Sequence, residues 1–321
     1  MKVIFLGTSE FAVASLKAIC QYHDVIAVVT QPDRPVGRNK AMAFSPVKQF
    51  AISQNIPVLQ YEKISKEGVE ELKNLRADIM ITASYGQMLS KDVLESTRFG
   101  VYNVHGSLLP KYRGASPIQT AVLNGDKITG ISILKTGIGM DDGPVLLEKE
   151  LDIKPEETSE ELFIRMADLG ADCIVEALEL IENNRAILTP QDASKATFCK
   201  MIKKEYAEIS FDKPVEKIVN MVRAYQPWPI AFTHVNNSTL QIFKARRLED
   251  DEVVLRGLGE LSQYDNGEVV SCNPKTGFIV KALDGFLNIL EVKPENGKRM
   301  MAKDYLNGNR VFLKMILGET K

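Results

Sequence analysis

Val3-Ile4-Phe5-Leu6 is a short apolar run that stops at Gly7. Beyond it the period changes, with Phe11, Leu16 and Ile19 at helical spacing. A run of that length bounded by glycine predicts a buried strand and a tight turn into a helix. Val25–Val29, Ile79–Thr82 and Val101–His105 predict further strands, with helix-like stretches between them. Strands alternating with helices imply an α/β, Rossmann-like, mostly parallel sheet. Thr158–Glu182 reads as an amphipathic helix, and Thr189–Glu205 is polar without a clear period. After Tyr206 short β-rich pieces follow at Leu240–Phe243, Val253–Leu255, Glu268–Ser271, Gly277–Lys281 and Leu287–Leu290. Turn residues such as Asp265-Asn266-Gly267 and Asp284-Gly285 separate them, which predicts a small β-barrel. The expected organisation is an α/β domain over 1–189, a linker over 190–205 and a β-rich domain over 206–321.

Composition narrows the function classes. The 321 residues are 45% hydrophobic and 26% charged, with a formal net charge of −2, so any nucleic-acid surface must be a local patch. Two such patches stand out. The stretch after Gln31 carries Arg34, Arg38, Lys40 and Lys48 against one acid, Asp33. Between Lys195 and Arg247 ten basic residues, Lys203, Lys204, Arg246 and Arg247 among them, face four acidic ones. Each reads either as a solvated surface or as a grip on phosphates. Four cysteines without C-x-x-C spacing, and no His/Cys/Asp/Glu cluster at ligand spacing, argue against a metal or disulfide framework. No apolar run is long enough for a signal peptide or a membrane span, so a cytoplasmic address is expected. A nicotinamide cofactor is disfavoured because Ser9 stands where G-x-G-x-x-G needs its second glycine.

The chemistry concentrates in Asn103-Val104-His105-Gly106-Ser107-Leu108-Leu109-Pro110. Residues i and i+2 of a strand point to one face, so Asn103 and His105 project side by side from a strand end. Ligands of open α/β sheets bind at that end. An amide and an imidazole there can bind an oxyanion and handle a proton. Spacing alone also fits a polar pair capping a strand, and Asp141 alone fits a turn residue before Gly143. Trp228, between Pro227 and Pro229, reads as a core wedge.

With these segments in view, the chain resembles the 10-formyltetrahydrofolate-dependent formyltransferases, and among them the enzymes acting on methionyl-tRNA. The resemblance runs through Gln31-Pro32-Asp33-Arg34-Pro35, Ser45-Pro46-Val47-Lys48, Asn103 to Pro110, Arg113-Gly114-Ala115, Pro117-Ile118-Gln119, Gly139-Met140-Asp141 and Arg223-Ala224-Tyr225-Gln226-Pro227-Trp228-Pro229. It implies Asn103, His105 and Asp141 as the catalytic set and Ser107, Leu108, Leu109 and Pro110 as lining for the folate. It implies Arg34, Arg38, Lys40 and Lys48 as contacts to the acceptor stem, and an OB-like tRNA-binding barrel at the C-terminus. Methionyl initiator tRNA is then the acceptor, 10-formyltetrahydrofolate the donor, and a monomer without metal or membrane attachment the expected state. The alternatives are a formyltransferase for an amino-sugar nucleotide or glycinamide ribonucleotide, a formyltetrahydrofolate hydrolase, and a tRNA-binding protein without catalysis.

Overall fold

The computed structural model describes all residues except 37–40, 276, 309–310 and 319–321. The chain divides into two compact units. One comprises residues 1–118, 128–152 and 162–200, the other residues 119–127, 153–161 and 201–321.

The first unit is built on a seven-stranded sheet. Its strands are β1 (Lys2–Gly7), β2 (Asp24–Thr30), β5 (Val58–Gln60), β6 (Ile79–Ala83), β7 (Val101–His105), β9 (Ile128–Lys135) and β10 (Val145–Asp152), and a two-stranded hairpin joins β3 (Arg34–Val36) to β4 (Ala41–Ala43). The order is β10-β9-β7-β6-β1-β2-β5, parallel from β5 to β7 and antiparallel at β9 and β10. The apolar runs Val3–Leu6 and Ile79–Ile81 are fully buried, as expected of central strands covered on both faces. β9 and β10 carry no clear sequence signal. β10 is an edge strand whose alternating charged residues keep one face in water.

The chain leaves β1 toward β2 on one side and returns to β6 on the other, so the crevice at a reversal of order lies by the carboxyl ends of β1, β6 and β7. Helix α1 (Glu10–Tyr22) buries Phe11, Leu16 and Ile19 against this sheet. Helices α2 (Pro46–Ser53), α3 (Ile64–Glu67), α4 (Val69–Asn74), α5 (Lys91–Leu94) and α6 (Pro117–Asn124) follow. The 24-residue α7 (Ser159–Glu182) opens on a capping box, in which Thr158 Oγ1 accepts from Glu161 N and Glu161 Oε2 accepts from Thr158 N. A Cβ at Gly170 would lie 3.0 Å from Val104 Cγ1, so the glycine lets α7 run close over β7. Within 190–205 the chain forms a 3-10 turn at Ala193–Lys195 and strand β11 (Phe198–Cys199), which pairs in parallel with β8 (Arg113–Gly114).

The second unit holds an antiparallel sheet of β12 (Phe232–Val235), β13 (Ser238–Arg247), β14 (Val269–Asn273), β15 (Gly277–Ala282) and β16 (Gly285–Pro294), with β17 (Met300–Met301) on β16. Helix α8 (Val215–Ala224) buries Ile218, Met221 and Val222, and α10 (Ala302–Leu306) closes the series. Val253–Leu255, expected as a strand, is the last turn of helix α9 (Asp250–Leu255). Asp250, Asp251 and Glu252 favour a helix N-terminus, Glu252 Oε2 accepts from Glu249 N, and Gly257 at φ +64° ends the turn. These local signals outweigh the β propensity of two valines. Trp228 is 58% exposed, so it is a surface residue and not the core wedge its proline neighbours suggest.

Candidate active site

Asn103 and His105 project from β7 as the alternation requires, and the loop between β9 and β10 brings Asp141 to them. Asp141 Oδ2 lies 3.6 Å from His105 Nδ1, and its Oδ1 accepts from Asn103 Nδ2 at 3.4 Å. The three residues singled out by sequence are one cluster at the carboxyl end of a central strand.

Each side chain is oriented by a specific partner. Thr82 on β6 donates its hydroxyl to Asn103 Oδ1 at 2.9 Å, which turns Nδ2 toward Asp141. The opposite amide orientation would face Oδ1 to a carboxylate. His105 is 5% exposed, and its Nε2 lies 3.1 Å from the carbonyl of Tyr112. A carbonyl only accepts, so Nε2 carries the proton and, in the neutral ring, Nδ1 faces Asp141 with its lone pair. Burial pushes the His105 pKa below its ordinary value; the Asp141 charge and the Tyr112 carbonyl oppose this without cancelling it. The resting ring is neutral at neutral pH.

Asp141 adopts φ +49°, an uncommon conformation for a non-glycine residue. Gly114 N donates to its Oδ2 at 2.9 Å. Gln191 Nε2 donates to the Asp141 carbonyl at 2.8 Å and to that of Gly143 at 2.7 Å. Gly143 itself cannot carry a side chain, since a Cβ would meet the Lys135 carbonyl at 1.8 Å. The Tyr112 carbonyl that fixes His105 is also held, by the Cys199 thiol at 3.3 Å. Thr82, Tyr112, Gly114, Gln191 and Cys199 therefore complete the site. Among these, Gly114 alone carries a sequence signal, through Arg113-Gly114-Ala115.

The segment expected to line the folate divides in two. Ser107 is 1% exposed and donates its hydroxyl to the Lys111 carbonyl at 2.6 Å, shaping the loop from within. Leu108 is half-buried. Leu109 and Pro110 line a cleft of about 270 Å³ together with Val145, Leu147, Glu148 and Gln191. Ser132, buried beneath, accepts from Leu109 N at 3.0 Å and holds its hydroxyl 2.7 Å from both the Ser107 carbonyl and Glu148 Oε1.

The basic residues are dispersed. Arg38 and Lys40 lie outside the described residues. Arg34 is exposed and paired with Glu62 at 2.6 Å. Lys48 is drawn inward: its Nζ bonds Asp33 and Gln60 and sits 4.2 Å from the Phe44 ring centre. That bond holds the Asp33 carboxyl below the usual carboxylate range. Lys203 and Lys204 are exposed, and Lys203 is 3.8 Å from Glu205. Arg247 Nη2 donates to the Asp284 carbonyl at 2.9 Å. Arg246 grips Glu252 with both Nη atoms at 2.6 Å and lines a cavity of about 250 Å³ with Arg256, Lys275, Asn288, Leu290, Met301 and Lys303. Sequence reasoning missed Arg256, Lys275 and Lys303, which come from three separate stretches. Among the described residues no group of three or more His, Cys, Asp or Glu is arranged to hold a metal, and no helix is long and apolar enough to cross a membrane.

Comparison with known proteins fits this geometry. The formyl transferase family model matches residues 1–178, and the formyl transferase C-terminal domain model matches residues 201–310. The methionyl-tRNA formyltransferase of Ruminiclostridium cellulolyticum is 42% identical over 97% of both chains. In fold, the chain is similar to WlaRD, a sugar 3N-formyl transferase, with TM-score 0.67 and 22% identity over 93% of this chain and 99% of that one. It is also similar to the methionyl-tRNA formyltransferase of Clostridium thermocellum, with TM-score 0.55 and 21% identity over 77% of this chain and 94% of that one. The chain belongs to the formyl transferase family and, within it, to the methionyl-tRNA formyltransferases.

Proposed function

We propose that this enzyme transfers the formyl group of 10-formyltetrahydrofolate to the α-amine of methionyl initiator tRNA. The observation that carries the reading is the Asn103–His105–Asp141 cluster at the end of β7, with Thr82 holding the Asn103 oxygen and turning its amide nitrogen toward Asp141. Likeness over 97% of the chain to a relative named for methionyl-tRNA, and a fold shared with a protein solved in the presence of 5-N-formyl-THF, support the two substrate classes.

The amine attacks the formyl carbon, and the carbonyl oxygen becomes a tetrahedral oxyanion. Asn103 Nδ2–H donates to that oxygen. His105 Nδ1 holds the lone pair that takes the amine's proton, and Asp141 stabilises the imidazolium. Nε2 keeps its proton and donates it in a hydrogen bond to the Tyr112 carbonyl throughout. Collapse of the intermediate expels the folate nitrogen, which is reprotonated from the ring. The Leu109–Pro110 cleft offers apolar walls to the folate.

The cavity lined by Arg246, Arg256, Lys275 and Lys303 gathers four basic side chains, a composition that suits the phosphodiester backbone of the tRNA. The chain is expected to act as a monomer in the cytoplasm.

The test is transfer of labelled formyl from 10-formyltetrahydrofolate to methionyl initiator tRNA, methionyl elongator tRNA, uncharged tRNA, an amino-sugar nucleotide and glycinamide ribonucleotide. Transfer confined to the methionyl initiator is expected. Transfer to a small amine, or folate hydrolysis without an acceptor, would overturn the acceptor assignment and keep the catalytic cluster.

A further inference from the structure

The segment after α7 returns across the first unit. Thr189 exchanges two backbone hydrogen bonds of 2.8 Å with Val145 at the start of β10, and Gln191 follows within the polar stretch that sequence reads as a linker. The Gln191 side chain has two N–H donors and two acceptor sites on its oxygen. All four are used. Nε2 donates to the carbonyls of Asp141 and Gly143, while Oε1 accepts from Arg113 Nε at 3.1 Å and Nη2 at 2.7 Å. The amide orientation is fixed by chemistry, since reversal would set N–H against guanidinium and oxygen against carbonyl.

We propose that Gln191 is a positioning residue for the transfer reaction, holding the backbone of Asp141 in its left-handed conformation so that the carboxylate meets His105. Gly114 N and Asn103 hold the carboxylate itself, but neither constrains the Asp141 carbonyl, which the positive φ turns toward Gln191. Arg113, itself 7% exposed, anchors the amide from the other side. Gln191 acts on the reaction through Asp141 and also lines the cleft beside Leu109 and Pro110, so a loop displaced by about an ångström costs rate while binding of the methionyl-tRNA stays in place.

This inference rests on the roles proposed for His105 and Asp141. Gln191→Met keeps the length of the side chain and removes every hydrogen bond. Gln191→Glu keeps the acceptors, adds an ion pair to Arg113 and removes the donors to the loop. Both variants, with Asp141→Asn beside them, are measured for kcat, KM for each substrate, thermal midpoint and the pH dependence of kcat. The expected result is a fall in kcat on the order of 10- to 100-fold in both Gln191 variants, with KM for methionyl-tRNA changed less than about threefold and the acid limb shifted in the same direction as in Asp141→Asn. Gln191→Glu melting at or above the parent temperature while still losing rate would separate positioning from folding. Parent-like kcat and pH profile in Gln191→Glu would overturn the proposal, as would a loss confined to thermal stability in Gln191→Met. If Asp141→Asn itself keeps parent activity, the assignment of Asp141 fails rather than that of Gln191.

Discussion

Asp141→Asn removes the charge of the carboxylate proposed as catalytic, together with the acceptor of Asn103 Nδ2. The amide is the same size, and its oxygen can still accept from Gly114 N, so the loop keeps its anchor. The missing quantity is the attraction between Asp141 and the imidazolium that forms as His105 takes the amine's proton. At the 3.6 Å separation, an effective dielectric of roughly 20 gives about 4–5 kcal/mol. Asp141 is partly open to solvent, which screens the pair and brings the figure to about 2–4 kcal/mol, or roughly 30- to 1,000-fold in rate. The assay is single-turnover formyl transfer followed across pH. The sign of the pH effect is fixed in advance. Burial lowers the His105 pKa, and Asp141 and the Tyr112 carbonyl raise it, so removing the charge leaves only the Tyr112 carbonyl against the lowering. The ring then stays neutral to lower pH, and the acid limb moves down while the plateau falls. A plateau within threefold of the parent, or an acid limb that moves up, would refute the proton-acceptor role of His105.

Four other outcomes are expected. Gly114→Ala places a Cβ 2.3 Å from the Cys199 carbonyl at φ +123°, so it should lower the melting temperature by several degrees and transfer by more than about 100-fold, read by melting and by activity. Ser132→Ala removes the acceptor of Leu109 N and should raise KM for the folate about tenfold with kcat nearly kept; an unchanged KM would detach the Leu109–Pro110 cleft from folate binding. Replacing Arg256, Lys275 and Lys303 by Ala should weaken methionyl-tRNA binding and reduce the slope of log K against log salt by about one for each phosphate left unneutralised, whereas Lys48→Ala should leave that slope unchanged because its charge is already engaged by Asp33. For stability, His105 has a folded pKa below its unfolded value. Unfolded chains therefore bind the extra proton first as pH falls below about 6.5, and stability drops through that window until the folded pKa is passed; chemical denaturation at several pH values should show a shallower drop in His105→Asn.

What can be read from sequence follows the range of the interactions. The central strands are legible because burial on both faces leaves an unbroken apolar run, and Asn103 with His105 because period-two geometry is local. Asp141 has no such mark; it gains meaning only from its neighbours in a motif. Gln191, Cys199 and the Tyr112 carbonyl leave no trace, since their roles are side chain to backbone bonds between distant segments and any of these groups fits an ordinary loop. The same holds for the basic cavity: Arg246 on β13 stands out in a charged stretch, but Arg256 at the end of α9, Lys275 between β14 and β15 and Lys303 in α10 meet it only in the folded unit. Lys48 shows the converse case: it reads in sequence as one more cation of a basic stretch, and in the fold its Nζ bonds Asp33 and Gln60. The strand expected at α9 fails because residue type is weighed there ahead of the acidic first turn.

The return of the chain along 189–200 has a consequence for biosynthesis. Gln191 follows Asp141 by 50 residues, and Cys199 follows Tyr112 by 87. As the polypeptide emerges from a ribosome, the sheet, β7 and the Asp141 loop are all present well before the residues that clamp them. The nascent chain therefore passes through a stage with the principal groups synthesised and without the bonds from Gln191 and Cys199. The clamp residues also fall in the interval 179–200, between the two segments that the family models match. Dissection of the polypeptide at the end of the first matched segment would keep every strand of the seven-stranded sheet and discard the end of α7, β11 and the residues that clamp the site.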